Sequence, residues 1–254
     1  MKVRILGSGT SSGVPRIGND WGACDPAEPR NRRTRASLLV EHEGVRVLVD
    51  TSPDLREQLL VADVAALDAV IWTHDHADHC HGIDDLRQVY HAMDGPVRGL
   101  ARAETLAALE QRFAYAFKGR DGYPSTIAGE ILPDRLTVGG LTIGVTDQPH
   151  GSISSAGLRF EAGGMSIGYA TDFNILTDDM RALYRNLDVW ILDCLRHRPH
   201  PTHPDAPTAL EWIAQLAPKR AIFIHMDQSM DYRTLCETLP TGVEPGYDGL
   251  EIAW

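Results

Sequence analysis

The sequence predicts an α/β domain with its strands in two layers and its helices outside them. Short apolar runs rich in β-branched residues alternate with stretches of helical periodicity along the chain. No repeat, low-complexity tract or linker divides it, so residues 1–254 read as one domain. Several of the apolar runs also end on a histidine or an aspartate, which is where α/β sheets place their sites.

Val3 to Leu6 reads as a strand entering the glycine-rich loop Gly7 to Gly13. Ala36 to Glu41 and Val45 to Val49 read as paired strands around Glu43-Gly44, and Leu55 to Leu67 has helical spacing. Ala69 to Thr73, apolar as far as Trp72, is a candidate for a strand buried on both faces, and helices are expected over Ile83 to Ala92 and Ala103 to Phe117. The segment from Lys118 to Ile127, with its Gly, Pro and Tyr, reads either as a lid beside a pocket or as a plain surface connection. Strands are then expected over Leu141 to Thr146, Gly157 to Ala162 and Met165 to Ala170, the last two joined by a Gly163-Gly164 hairpin turn. Thr177 to Asn186 and Ala206 to Leu216 read as helices, and Val189 to Leu192 and Ala221 to Ile224 as strands. Trp72, Trp190 and Phe223 lie in strand runs and are read as core.

Composition narrows the function classes. With 24 Lys and Arg against 35 Asp and Glu, the formal charge is −11, which leaves no basic footprint for a long nucleic acid. No apolar run approaches the roughly 18 residues of a membrane span, and Met1 to Leu6 lacks the pattern of a secretory signal, so a cytoplasmic protein is expected. The four cysteines are scattered without a C-x-x-C pair, as reduced thiols in a reducing compartment would be, and Cys80 reads as a small packed residue.

The 11 histidines are the unusual feature. Thr73-His74-Asp75-His76-Ala77-Asp78-His79 places three imidazoles and two carboxylates in seven residues, directly after the buried run Ala69-Val70-Ile71-Trp72. Neutral imidazoles and carboxylates are ligands of Zn²⁺, Mn²⁺ or Fe, and one ion does not need so many from a single turn. A pair of divalent ions is the economical explanation. Three further strand runs end near a potential ligand: Thr142 to Val145 leads to His150, Ser166 to Ala170 to Asp172, and Ala221 to Ile224 to His225.

With those residues in place, the chain resembles the metallo-β-lactamase fold superfamily. The match is H-x-H-x-D-H at His74, His76, Asp78 and His79, followed by His150, Asp172 and His225 in the family's order. The resemblance implies an αββα four-layer sandwich. It also implies that His74, His76 and His150 hold one ion and Asp78, His79 and His225 the other, with Asp172 bridging. The opening Leu6 to Pro15, the Asp50-Thr51-Ser52-Pro53 turn, Asp193-Cys194, and His203 ahead of the helix at Ala206 look like the phosphodiesterase branch, and within it the phosphoribosyl cyclic phosphate phosphodiesterases of the PhnP family. In that family a histidine matching His203 assists catalysis beside the metals; His203 is preferred to its neighbours His197 and His200 because it immediately precedes the helix. That family also carries a structural zinc. Here the corresponding region keeps only Cys24, and Gln228 stands where a histidine ligand is expected, so no third, structural zinc is expected.

The implied chemistry is attack by metal-activated water on a small phosphodiester, cyclic or nucleotide-derived, with Asp78 as ligand and orienter of the nucleophile and His203 contacting phosphate or protonating the leaving group. Asp50 is a candidate acceptor for a ligand imidazole or a simple turn-former. Arg32, Arg33 and Arg35 read as a solvated strand edge or, second, as an anion contact, and Ser11 and Ser12 as further phosphate donors. The competing readings are a tRNA 3′-processing endonuclease and a glyoxalase II-like thioesterase. Without a basic docking arm the first is disfavoured, and the His203 element and opening loop disfavour the second. A diiron reductase of this fold would carry a glutamate where His76 stands. A homodimer is common among such enzymes.

Overall fold

A computed structural model describes residues 1–253. Its strands are β1 (Lys2–Gly7), β2 (Ser37–His42), β3 (Val45–Val49), β4 (Ala69–Trp72), β5 (Val97–Ala101), β6 (Ile127–Ile131), β7 (Arg135–Val138), β8 (Leu141–His150), β9 (Ile153–Ala162), β10 (Met165–Ala170), β11 (Val189–Asp193), β12 (Arg220–Ile224), β13 (Val243–Pro245) and β14 (Glu251–Ala253). The helices are α1 (Leu55–Ala62), α2 (Ala77–Cys80), α3 (Leu86–Met93), α4 (Ala103–Arg112), α5 (Ala114–Lys118), α6 (Asp178–Tyr184), α7 (Ala206–Leu216) and α8 (Tyr232–Thr238). They form two seven-stranded mixed sheets, ordered β14-β1-β2-β3-β4-β5-β6 and β13-β12-β11-β10-β9-β8-β7.

Three apolar cores separate four layers, as the αββα expectation requires. Between the sheets lie Val3, Leu38, Val47, Ile71, Leu158, Ile167, Ile191 and Ile222. On the outer face of the first sheet, Leu48, Val70 and Trp72 meet Leu55, Leu86 and Leu109 from α1, α3 and α4. Outside the second, Trp190 and Phe223 meet Met180 of α6 and Ala209 and Trp212 of α7. The unbroken apolar runs have their explanation here. In β4, Ala69 and Ile71 point between the sheets while Val70 and Trp72 point to the helices, so neither face meets water. β11 and β12 alternate in the same way.

Local chemistry sets most boundaries. The Gly163-Gly164 turn, with φ of 60° and 77°, joins β9 and β10 in the register Ala162 to Met165. Side chains of Thr177, Asp205 and Asp231 accept from the backbone N–H groups of Met180, Thr208 and Thr234, capping α6, α7 and α8. Where structure and expectation differ, a local cause is visible. The helix expected to reach Leu67 ends at Ala62, because Asp63 turns left-handed (φ 55°) and sends Val64 and Leu67 into the outer core. The helix expected through Phe117 breaks at Phe113, whose ψ of 39° cannot continue it. β8 runs on to His150, pairing with β9 as far as Ile153.

Candidate metal centre

The carboxyl ends of β4, β8, β10 and β12 meet between the sheets' edges, and each delivers the residue the sequence placed there. The four-residue loop Thr73 to His76 and the short helix α2 follow β4, the loop presenting His74 and His76 and the helix Asp78 and His79; His150 ends β8, and Asp172 and His225 follow β10 and β12. All seven are brought together. His74, His79, His150, Asp172 and His225 are buried, Asp78 is partly covered and His76 is exposed, so the cluster opens to solvent on the His76 side.

Asp172 divides the cluster. Its Oδ1 faces Nε2 of His74, His150 and His203 at 3.8, 3.6 and 3.8 Å, while Oδ2 faces Nε2 of His79 and His225 at 3.1 and 3.5 Å. Asp78 Oδ2 joins the second set, 3.3 Å from His79 Nε2 and 3.4 Å from His225 Nε2. These are ligand-to-ligand spacings: donors about 2.0–2.1 Å from a tetrahedral ion lie about 3.3–3.4 Å apart.

The protons make the same point. Asp50, fully buried, accepts from the Thr73 N–H and hydroxyl and from His79 Nδ1 at 2.7 Å. The Thr73 hydroxyl, having given its one hydrogen to Asp50, accepts from His74 Nδ1 at 3.0 Å. The carbonyl of Thr202 accepts from His150 Nδ1 at 3.0 Å. Each ring thus keeps its Nε2 lone pair for the cluster, and the buried Nε2 atoms of His74 and His79 have no hydrogen-bond partner. His150 Nε2 lies 3.4 Å from His76 Nδ1. Converging lone pairs and carboxylates fit cations between them, and among the described residues three groups, His74-His76-His150-Asp172, Asp172-Asp193-His203-His225 and Asp78-His79-His225, bring their ligand atoms close enough together to hold a metal ion.

Electrostatics agree. Burial opposes charge on His79, but Asp172, Asp78 and Asp50 outweigh it and hold the imidazole well above its usual value. Burial likewise opposes charge on His225, yet Asp172 and Asp193 raise it to about 9. Burial opposes ionisation of Asp172 too, and His225, His79 and His74 overcome it, holding the carboxyl well below the carboxylate range. The site demands positive charge, which protons supply where metal does not.

Asp193, at the end of β11, is the residue at this site to which sequence reasoning gave no role. Its Oδ2 accepts from His203 Nδ1 at 2.7 Å and from the Asp172 N–H at 3.0 Å, so it orients both. The signal was present: Val189 to Leu192 is another apolar run ending on a carboxylate. His203 is partly exposed, with its ring 4.9 Å from those of His150 and His225. His200 sits 5.0 Å beyond it, and His197 is exposed.

The arginine reading holds for the exposed Arg32 and is corrected for Arg33. Arg33 is 2% exposed and donates to the carbonyls of Asp227 and Met230; Arg35 pairs with Asp54, and Arg32 lies over Trp21. Arg33 is neither a solvated edge nor an anion contact, because its guanidinium pins the loop after His225 against the opening segment. Its Nη1 also reaches Cys24 Sγ at 3.7 Å, where burial raises the thiol. Cys80 is fully buried, and that burial pushes its thiol to about 12, which suits packing rather than nucleophilic chemistry. Residues 120 to 126 border a cavity of about 240 Å³ between α3 and α5, lined by Arg87, Tyr90, Tyr115 and Tyr123, and no member of the metal cluster lines it.

Comparison with known proteins places the chain. A diphosphatase of the PhnP family superimposes with a TM-score of 0.91 at 33% identity, covering 99% of this chain and 96% of that one. An octanoyltransferase of Porphyromonas gingivalis is 33% identical over 258 residues, 99% of this chain but only 51% of the relative, so the chain spans about half that protein's length. Coenzyme PQQ synthesis protein B of Methylobacterium nodulans is 27% identical over 222 residues, covering 76% of this chain and 72% of the relative. No described helix is long and apolar enough to cross a membrane. Residues 45–226 match the Beta-lactamase superfamily domain, and the chain belongs to that superfamily, with the metallo-β-lactamase fold.

Proposed function

We propose that residues 1–254 form one cytoplasmic hydrolase domain, a binuclear metal-dependent phosphodiesterase acting on a small phosphodiester, cyclic or nucleotide-derived. The observation that carries the reading is the division of Asp172, whose two oxygens face two separate sets of imidazole nitrogens. His74, His76 and His150 would hold one ion, Asp78, His79 and His225 the other, and Asp172 both. Two Zn²⁺ or Mn²⁺ ions, or iron, would supply Lewis acidity there, activating water and neutralising charge on the phosphoryl oxygens.

The chain's own groups do the rest. Asp78, at the open side, orients the nucleophilic water. His203 works as an acid: its Nδ1–H is committed to Asp193, so only when Nε2 is also protonated can the ring donate, and Asp193 stabilises that imidazolium beside the leaving oxygen. The likeness to a PhnP-family diphosphatase supports phosphoryl chemistry. A net charge of −11 supports a small substrate over a long nucleic acid.

The test is metal analysis of the purified protein followed by assay of bis-p-nitrophenyl phosphate, cyclic nucleotides, ribose cyclic phosphates, pre-tRNA and lactoylglutathione. Hydrolysis of the small diesters with about two equivalents of metal is the expected result. Cleavage of pre-tRNA alone would overturn the small-substrate reading, and cleavage of lactoylglutathione alone would overturn the phosphodiester reading.

A further inference from the structure

The segment from Arg196 to His203 borders the open side of the cluster and is braced from within. Arg196 donates from Nε to the Arg198 carbonyl at 3.1 Å and from Nη2 to that of Pro199 at 2.8 Å, and Asn174 Nδ2 donates to the Pro201 carbonyl at 2.8 Å. The Thr202 carbonyl is held by His150, and Leu195 N–H is bonded to the Pro204 carbonyl. Three rings follow in file from the cluster outward, the last two on this stiff segment. His225 and His203 lie nearly parallel at 4.9 Å, and His200 comes next at 5.0 Å, half-buried.

The tautomer of His200 is fixed by its neighbour. The Thr202 backbone N–H points at His200 Nδ1 from 3.3 Å, with the Thr202 hydroxyl 3.2 Å away. A backbone amide can only donate, so Nδ1 carries the lone pair and the ring's proton sits on Nε2. Among the described residues Nε2–H has no hydrogen-bond partner. A rigid segment thus presents an uncommitted neutral donor one ring beyond His203.

We propose that His200 is a specificity-determining residue whose Nε2–H donates to a hydroxyl of a sugar-like alcohol esterified to the phosphoryl group. This rests on the phosphodiesterase reading above. A hydroxyl is the matching partner, because a second phosphate would be better met by a guanidinium, and that of Arg196 is occupied by two carbonyls. A group that reads a hydroxyl discriminates against analogues lacking it.

The metal-loaded full chain is assayed with two esters sharing one leaving group, bis-p-nitrophenyl phosphate and thymidine 5′-(p-nitrophenyl) phosphate. His200→Ala raises KM for the thymidine ester about tenfold, with kcat held within about twofold, and leaves the bis-aryl ester unaffected. His200→Gln, whose amide N–H replaces Nε2–H, restores most of the loss. Equal losses on both esters, or none on the thymidine ester, would overturn the proposal. Calorimetric binding of ribose 5-phosphate and methyl phosphate separates this from the parent reading, since it needs no turnover. His200→Ala weakens the sugar phosphate alone by about tenfold, and equal affinities in the two proteins refute the proposal even if neither ester is hydrolysed.

Discussion

The two sheets build the candidate metal centre in different ways. The first contributes four of its seven residues, His74, His76, Asp78 and His79, from one contiguous turn after β4. The second contributes His150, Asp172 and His225 singly, from three strand ends far apart in the chain. Backbone conformation follows the same division. None of the first four has positive φ, whereas Asp172 and His225 sit at 54° and 57°, each costing roughly 1 kcal/mol in an unfavoured region. A contiguous motif can be positioned by local turn chemistry. Of the residues delivered singly, Asp172 and His225 are bent into place and the packed sheet around them holds the strain, while His150 stays in the extended backbone of β8.

Replacing Asp172 breaks that arrangement most completely, because it alone faces both halves. Asp172→Ala should release both ions and lower diester hydrolysis by at least about 10³-fold, beyond the roughly 10- to 100-fold loss from removing a ligand's supporting partner. Metal content by mass spectrometry, alongside turnover, decides it; retention of both ions would show that the two halves are independent.

The supporting carboxylates sharpen the contrast next. Asp50 holds His79 directly and His74 through Thr73, so Asp50→Asn should weaken metal affinity roughly 10- to 100-fold in chelator competition. Asp193 holds the side chain of His203, which is not among the assigned ligands, and reaches the ligand Asp172 only through its backbone N–H. Asp193→Asn should therefore lower turnover while both ions stay bound, and equal metal loss in the two variants would erase the distinction.

Away from the centre, each outer layer buries a tryptophan completely. Trp72 Nε1 donates to the Thr51 hydroxyl at 2.8 Å, while Trp190 Nε1 has no hydrogen-bond partner. Trp72→Phe should cost about 1 kcal/mol more than Trp190→Phe, or roughly 2–4 °C in Tm. Matching melting curves would mean that the hydrogen bond contributes nothing net.

The smallest effect concerns acid. Arg30 and then Arg233, on α8, hold the Glu28 carboxyl down to about 2. Its folded value lies below the unfolded one, so its contribution is complete above about pH 4.5 and is lost as pH falls from there through 2. Glu28→Gln should narrow the difference in Tm between pH 5 and pH 3, and an unchanged difference would assign acid sensitivity elsewhere.

The same contrast explains what could be read from the chain. H-x-H-x-D-H was legible because its six-residue span carries the whole signal, and β4, β11 and β12 because burial on both faces writes an apolar run. β5, β6 and β7 escaped notice. Val97–Ala101 is interrupted by Arg98 and Gly99, Gly99 being required where a Cβ would strike Trp72. β6, at the sheet's edge, is exposed over four of its five residues and so carries no alternation. Asp193 and the buried Arg33 are defined by partners that only the fold brings near, Asp172 and His203 for one, the Asp227 and Met230 carbonyls for the other.

The pairing of β1 with β14 reaches beyond stability. β14 runs antiparallel to β1 with Lys2 opposite Ala253, and β1 shares the direction of β4 through two antiparallel steps and one parallel step. Residues 2 and 253 therefore lie side by side at the end of the sheet remote from the metal cluster. A short peptide bridge could join them, and the chain could be reopened at the exposed turn around Gly122 without touching a ligand strand. Order along the chain and order around the site are separable here, and a circularly permuted protein would keep the second while rewriting the first.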